Sequence, residues 1–526
     1  MRRSLLAVFS LLLAVTLCNS YKILLYSPTV GHSHVGFFGK IADILLDAGH
    51  DVTVFIPLMD PDVQSNGTKR AKVIRHEAVK NLPWAKLGFK TSPFDEDFNL
   101  MTFENMNLLQ KMQDDVCEAI ISNENLLEKL RKEKFDLAMA EPIHLCGYGL
   151  FKLLGIPAQI VASAVTFGEG HADLYGIPSP PSYVPSLWNK YSDEMSYTER
   201  AINLLSTQFF LRIMDWIIPR QTALFRKYHG EDFPCLIELS AKSALMMVNG
   251  DEMFEFPRPI SHKVIYIGGV GVSTPKKLEK EMLQIVENSK AGVIYVSFGS
   301  VANSTLMPLS KKLAFLEAFA SFPEHTFIWK YEEPERDREL FAKYTNVHTV
   351  KWAPQIDLLY HKKVLAFLTH CGGNSMTEAI HSGTPMVAIP LFGDQEHNAA
   401  IAVKRLIAVK VEKPQINAQS LTAALREVLN DESYTRNARR LAEMIAKKPV
   451  KAKDLVVKWT EFAAEFQDLS NLDLAGRNFN FIKYFCLDIF VPPLLVVPCI
   501  FIALVKIVQS IRKKLFQKSS NKEKVS

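Results

Sequence analysis

Short apolar runs alternate with helical stretches twice along this chain, and that alternation restricts it to an α/β architecture built on parallel sheets. Residues 21–26 (YKILLY) are apolar after Lys22, as a strand covered on both faces requires. A Ser-Pro-Thr-Val-Gly loop follows, then Phe38, Ile41, Leu45 and Ala48, spaced three and four apart as on one helix face and stopped by Gly49. Residues 51–57 (DVTVFIP) are the next strand. The pattern restarts past mid-chain with apolar runs at residues 293–298, 326–329, 347–350, 364–368 and 385–389. Between the halves, residues 175–191 hold Pro178, Pro180, Pro181 and Pro185 and read as a long loop. Residues 255–259, with Pro257 and Pro259, read as the interdomain linker. With 526 residues the chain can bury two such cores. Two facing Rossmann-like domains, 21–255 and 260–475, would bring the carboxyl ends of both sheets to one cleft, where open α/β sheets bind ligands.

The two ends are of a different kind. Residues 1–20 carry Arg2 and Arg3, an apolar block from Leu5 to Leu17, and Cys18-Asn19-Ser20, which is the pattern of a secretory signal peptide; an uncleaved anchor is the alternative, but the block is short for a bilayer. Residues 489–508 (IFVPPLLVVPCIFIALVKIV) contain one charge, Lys506, and as a helix span about 30 Å. Pro492, Pro493 and Pro498 argue against a core helix of a soluble domain. The tail 509–526 is basic, with Arg512, Lys513, Lys514, Lys518, Lys522 and Lys524, so the positive-inside rule makes the chain a single-pass type I protein with its bulk in a lumen. Lys522-Glu-Lys524-Val-Ser526 is similar to the K-x-K-x-x retrieval signal of endoplasmic-reticulum membrane proteins.

Charge and cysteines exclude several classes. The formal charge of +5 arises from the leader and from the basic segment beginning at Lys506; the remainder is weakly acidic, which gives nucleic-acid binding no electrostatic support. Cys117, Cys146, Cys235 and Cys371 are widely and irregularly spaced, so neither a disulfide framework nor a zinc site can be read from them. Asn66-Gly-Thr68 and Asn303-Ser-Thr305 match the glycosylation acceptor pattern.

The densest chemistry lies at residues 367–399, FLTHCGGNSMTEAIHSGTPMVAIPLFGDQEHNA. After the strand, Thr369-His370-Cys371-Gly372-Gly373-Asn374-Ser375 forms the carboxyl-end loop, and a helix runs on to Gly383. The two glycines let backbone N–H groups approach a ligand, and the helix start carries partial positive charge, a site suited to a diphosphate. His370 and Asn374 add donors without a fixed cation. Glu378, one turn beyond Asn374 on the same face, is placed to accept two ribose hydroxyls. Upstream, Trp352 offers a flat surface for a base and Gln355 an amide; downstream, Asp394 and Gln395 match sugar hydroxyls. Base, ribose, diphosphate and sugar in that order describe a nucleotide sugar. Asp95-Glu96-Asp97 has the D-x-D form of metal-dependent glycosyltransferases but reads as solvated surface.

Trp352-Ala-Pro-Gln355, Thr369-His-Cys-Gly-Gly-Asn-Ser375, Glu378, Gly383-Thr-Pro-Met386 and Asp394-Gln395 resemble the signature of UDP-glycosyltransferases, most closely the animal UDP-glucuronosyltransferases. Ile267-Gly-Gly-Val270, Ser297-Phe-Gly-Ser300, the leader, the carboxyl-terminal span and the basic tail extend the likeness over nearly the whole chain. The resemblance implies a GT-B fold with a carboxyl-terminal transmembrane helix. It implies that Trp352 stacks on uracil and that Gln355 and Glu378 hold ribose. Ser300, His370, Gly372, Gly373, Asn374 and Ser375 would surround the diphosphate, and Asp394 and Gln395 would bind the sugar. Cys371 stands where vertebrate relatives have Gly.

The resemblance also implies a catalytic base at His34, preferred over His32 for its place in Ser33-His34 beside the helix start, held by a carboxylate on a later strand end. Glu141 occupies the position where the family has Asp. A histidine titrating near neutrality is suited to moving a proton, and a carboxylate partner sets its tautomer. The implied reaction is single displacement with inversion, from a UDP-sugar (glucuronosyl or glucosyl) to a hydroxyl of a small lipophilic acceptor, without a metal. Residues 60–116 and 196–228, rich in apolar side chains, could line the acceptor pocket or form core or membrane-facing surface. A non-catalytic binder of UDP-sugar or lipophiles is the alternative motivated by Glu141. A dehydrogenase is disfavoured because residues 27–35 lack G-x-G-x-x-G. No Arg or Lys for a glucuronate carboxylate can be placed from sequence, and self-association is left open.

Overall fold

The computed structural model describes residues 20–83, 92–98 and 102–523. Residues 1–19 of the expected signal peptide, residues 84–91 and 99–101, and the last three residues of the K-x-K-x-x pattern lie outside the described residues. The first sheet contains β1 (Lys22–Tyr26), β2 (Asp51–Pro57), β3 (Lys72–His76), β4 (Leu137–Ala140), β5 (Ala158–Ser163), β6 (Leu245–Val248) and β7 (Val264–Tyr266). The second contains β8 (Gly292–Ser297), β9 (His325–Lys330), β10 (Val347–Val350), β11 (Val364–Thr369), β12 (Met386–Ala388) and β13 (Ala408–Lys410). Their orders are β3-β2-β1-β4-β5-β6-β7 and β10-β9-β8-β11-β12-β13, and the strand pairs are parallel. Each order reverses at one place, between β1 and β4 and between β8 and β11.

The strand sequences explain the layers. Alternate residues of a strand face opposite sides. In β1, Ile23 and Leu25 join Phe38, Ile41 and Leu45 of the helix His32–Asp47 in one core. Leu24 and Tyr26 join Met112, Val116 and Ile120 of the helix Phe103–Ile121 and Phe151 of the helix Cys146–Leu154 in another. In β8, Ile294 and Val296 face one helical layer, Val293 and Tyr295 the other. Cys117 and Cys146, whose pairing the sequence left open, form a disulfide with Cα atoms 5.7 Å apart. The helices Phe103–Ile121 and Cys146–Leu154 bring them together, a proximity that sequence spacing does not encode.

Sheet membership differs from the expected limits 21–255 and 260–475. β7 lies beyond the Pro-rich linker yet pairs with β6. The helix Ala452–Phe466 returns to the first half, where Val456, Ala463 and Ala464 join the core beside Ile23 and Ile160. Its apolar face announces burial but not which core receives it. Between β7 and the second half, the chain passes Gly268 and Gly269; a Cβ on Gly269 would lie 2.4 Å from the His381 ring, so close packing there requires glycine.

The helix Tyr197–His229 begins with a capping box, the Ser196 hydroxyl accepting from Glu199 N–H and the Glu199 carboxylate accepting from Ser196 N–H at 2.8 Å. It meets the helix Phe103–Ile121 through the Phe103–Trp216 ring pair at 5.4 Å, while Leu205 and Phe209 are exposed. From Leu474 onward the chain forms a separate unit. Its helix Leu487–Glu523 contains a candidate membrane span, Leu487–Leu515, longer than the expected 489–508, within which an 18-residue window has a mean hydropathy of 2.5.

Candidate active site

Both reversal points carry polar groups. At the first, His34 lies in the first turn of the helix after β1, and Glu141 directly follows β4, the neighbouring strand. His34 Nδ1 and a Glu141 carboxylate oxygen are 2.6 Å apart. The other Glu141 oxygen accepts from Ala164 N–H at 2.8 Å, just past β5. The carboxylate is thus held at both oxygens, and the longer arm of Glu still reaches the imidazole. With Nδ1 donating, Nε2 is the basic nitrogen. Burial alone would lower the His34 pKa, but the charge of Glu141, its hydrogen bond and the charge of Asp394 outweigh it, and the net shift is upward. His32 is exposed. His144 is buried, bonded between Tyr26 Oη at 2.7 Å and the Gln113 carbonyl, and burial depresses its pKa to about 4, so it serves the core.

At the second reversal point the helix Gly373–Ser382 starts just after β11, with Gly372 as its cap, a residue that has no side chain to bond the first N–H groups. His370 is buried, and a Cβ on either Gly299 or Gly372 would come within 2.6 Å of its Nε2. Only glycine fits on both sides of that ring. Burial, with the nearby Lys330 charge, lowers its pKa to about 4, so the ring is neutral at physiological pH. Its Nδ1 is fully enclosed, with the Ser297 backbone as a polar group acting on the ring. Ser300 is exposed just beyond β8, the adjoining strand. Cys371 occupies left-handed backbone, φ 61°, and burial raises its thiol pKa to about 12, so it remains protonated.

Gln355 opens the helix Gln355–Leu359, and its amide Nε2 donates to Glu378 at 2.6 Å and to Ser375 Oγ at 3.3 Å. Burial raises the Glu378 pKa, which the Gln355 bond partly opposes. Trp352 is 75% exposed, past the end of β10, with Lys330 Nζ 6.0 Å from its ring centroid. Lys330 ends β9 and also donates to the Gly299 carbonyl at 2.7 Å. Its charge is paired with Glu332 at 2.7 Å; sequence reading missed this lysine, which ends the strand after Phe327, Ile328 and Trp329. Asp394 precedes the helix Gln395–Lys404 and accepts from Asn398 Nδ2 at 2.9 Å; Asn398 also donates to the Cys371 carbonyl at 3.0 Å. The Gln395 side-chain oxygen accepts from Leu391 and Phe392 N–H at 2.8 and 3.1 Å and holds that turn.

The two sets meet. Asn249, after β6, donates to Asn374 at 3.1 Å, and Asp394 is close enough to His34 for each to shift the other's pKa. Between them is a narrow gap lined by Ala164, Thr166, Asn249, Gly373, Thr377 and Asp394. The His34–Glu141 pair and the open start of the helix Gly373–Ser382 therefore lie on facing sides of this gap.

The sequence profile of the family described as UDP-glucoronosyl and UDP-glucosyl transferase matches residues 22–523. The chain belongs to this family. The Caenorhabditis elegans protein ugt-47 is 31% identical over 503 residues, covering 92% of this chain and 90% of its own. Rat UDP-glucuronosyltransferase 1-2 is 32% identical over 409 residues, covering 77% and 74%. Among solved structures, the kitacinnamycin glycosyltransferase superposes with a TM-score of 0.59 at 18% identity, covering 86% of this chain and all of that one. SnogD from Streptomyces nogalater gives 0.56 at 16%, covering 85% and 100%. These superpositions establish the GT-B fold, and the family makes the protein a UDP-glycosyltransferase. Among the described residues of this UDP-glycosyltransferase, no cluster of three or more His, Cys, Asp or Glu is placed to hold a metal.

Proposed function

We propose that this UDP-glycosyltransferase inverts configuration while moving a glucuronosyl or glucosyl group from a UDP-sugar to a hydroxyl of a small lipophilic acceptor. His34 Nε2 takes the acceptor proton as the oxygen attacks the anomeric carbon, and the bond from that carbon to the diphosphate oxygen breaks on the opposite face. UDP departs with its charge held by the amides of the helix Gly373–Ser382, with Ser300, His370, Asn374 and Ser375 around it. Trp352 stacks on the base, Gln355 and Glu378 take the ribose, and Asp394 with Gln395 takes the sugar. Glu141 keeps the imidazole oriented and stabilises its protonated form. The observation that carries this reading is the His34–Glu141 pair, 2.6 Å apart, in the same cleft as the open helix start.

The apolar helix supports a membrane-anchored protein, and the Cys117–Cys146 disulfide supports an oxidising lumen for the catalytic part. An endoplasmic-reticulum type I protein, with Asn66 and Asn303 as glycan acceptors, fits both. The test incubates the full-length enzyme in native-like membranes with UDP-glucuronate or UDP-glucose and a panel of phenols and steroids, and reads UDP release and product stereochemistry. A β-linked glycoside from an α-linked donor is the expected product. An α-linked product excludes single displacement, and UDP binding without release across the panel favours the non-catalytic alternative.

A further inference from the structure

The segment Ser92–Phe98 belongs in sequence to the first half, yet its two aromatic side chains are seated in the second. Phe94 is fully buried in the core formed by Ile294, Val296, Phe298 and Phe315, edge-on to the Phe298 ring at 5.0 Å. Phe98 is buried edge-on to Phe392 at 5.5 Å, with Lys413 Nζ 5.7 Å from its ring centroid. Lys311 Nζ donates to the Phe94 carbonyl at 2.5 Å, and Lys413 Nζ donates to the carbonyls of Pro93 and Leu391 at 3.4 and 3.1 Å. Within the segment, Phe94 N–H donates to Ser92 Oγ and Asp95 N–H to the Ser92 carbonyl, which keeps the turn compact. Glu96 and Asp97 point to solvent, so the acidic triplet is the outer edge of a seated loop.

The two aromatic partners have telling neighbours. Phe298 is followed by Gly299 and Ser300, where the loop borders His370. Phe392 is followed by Gly393 and Asp394, and the turn containing it is held by Gln395. A ring displaced at either place moves backbone that carries a donor-binding side chain one or two residues away. We propose that Ser92–Phe98 is a strap by which the first half braces the donor loops of the second, and that Phe94 and Phe98 are positioning residues for Ser300 and Asp394. The proposal rests on the donor-site reading above.

The experiment compares Phe94→Ala, Phe94→Leu, Phe98→Ala and Trp352→Ala with the wild type as full-length enzymes, measuring UDP affinity, KM for donor and acceptor, and kcat. Phe94→Ala and Phe98→Ala are expected to raise the donor KM by about tenfold or more, because misplacing a binding group by an ångström is that costly, with acceptor KM within about twofold. Phe94→Leu, which refills most of the cavity, returns donor KM towards wild type. Because coupling is reciprocal, UDP should slow amide hydrogen exchange across residues 94–98. Wild-type donor KM in both alanine variants, or unchanged exchange in residues 94–98 on saturation with UDP, overturns the strap. If Phe94→Ala does not fold, Phe98→Ala and the exchange measurement decide. Loss of UDP affinity in Trp352→Ala without any effect of the strap variants rejects the strap alone; unchanged affinity in Trp352→Ala rejects the donor-site reading itself.

Discussion

The two reversal points have the same topology and opposite chemistry. Between β1 and β4 the side chains form a hydrogen-bonded pair: an imidazole whose pKa is raised, against a carboxylate fixed at both oxygens. Between β8 and β11 the His370 ring, with a pKa near 4, and the Cys371 thiol, near 12, are held uncharged beside an open helix start. A βαβ crossover supplies the place, and the local environment of each titratable group sets the charge it carries there.

Removing the base should break the comparison most sharply. His34→Ala is expected to lower kcat by about 10⁴ while UDP affinity stays near wild type, measured by product formation and by calorimetric titration. Glu141→Gln should cost about 10² and also move the pH profile. His34 accepts a proton only when neutral, so activity falls as pH drops through its pKa, which in the wild type lies above the ordinary 6.5. Without the Glu141 charge, burial lowers that pKa, and the acid limb of kcat/KM should shift to lower pH; an unshifted limb would assign it to another group. On the other side of the cleft, Trp352→Ala should weaken UDP binding by about 1–3 kcal/mol, roughly five- to 150-fold, with no change in the acid limb. Asn249→Ala, which removes the bond to Asn374 across the cleft, should cost about 1 kcal/mol in donor KM and leave the His34-dependent pH profile in place.

Strands buried on both faces were legible because continuous apolar runs admit few other readings; β1, β2, β4, β8, β9, β11 and β12 were readable that way, and β10 (VHTV), a half-exposed edge strand, only from its flanking valines. β3 (KVIRH) is half-polar, and β7 and β13 are three residues long, too short for a periodic signal. β5 and β6 are short apolar runs that sequence alone does not separate from helix interiors. Within the site, residues contributed by contiguous motifs were accessible, and the structure sets His34 against Glu141 and Gln355 against Glu378. Lys330, Asn249 and the seating of Phe94 depend on which loops of different strands meet, a property of the closed fold. The same limit applies to the helix Ala452–Phe466, whose buried stripe is visible in sequence while its destination is not.

The Cys117–Cys146 bridge has a practical consequence. Cys146 lies five residues beyond Glu141, so the covalent tie anchors the segment that leads away from the carboxylate paired with His34. Production in a reducing bacterial cytoplasm would leave that tie open, loosening the His34–Glu141 side of the molecule and not the side of the helix Gly373–Ser382. A preparation that binds UDP normally but turns over poorly would then reflect its expression host, and oxidative refolding or secretion should restore the rate.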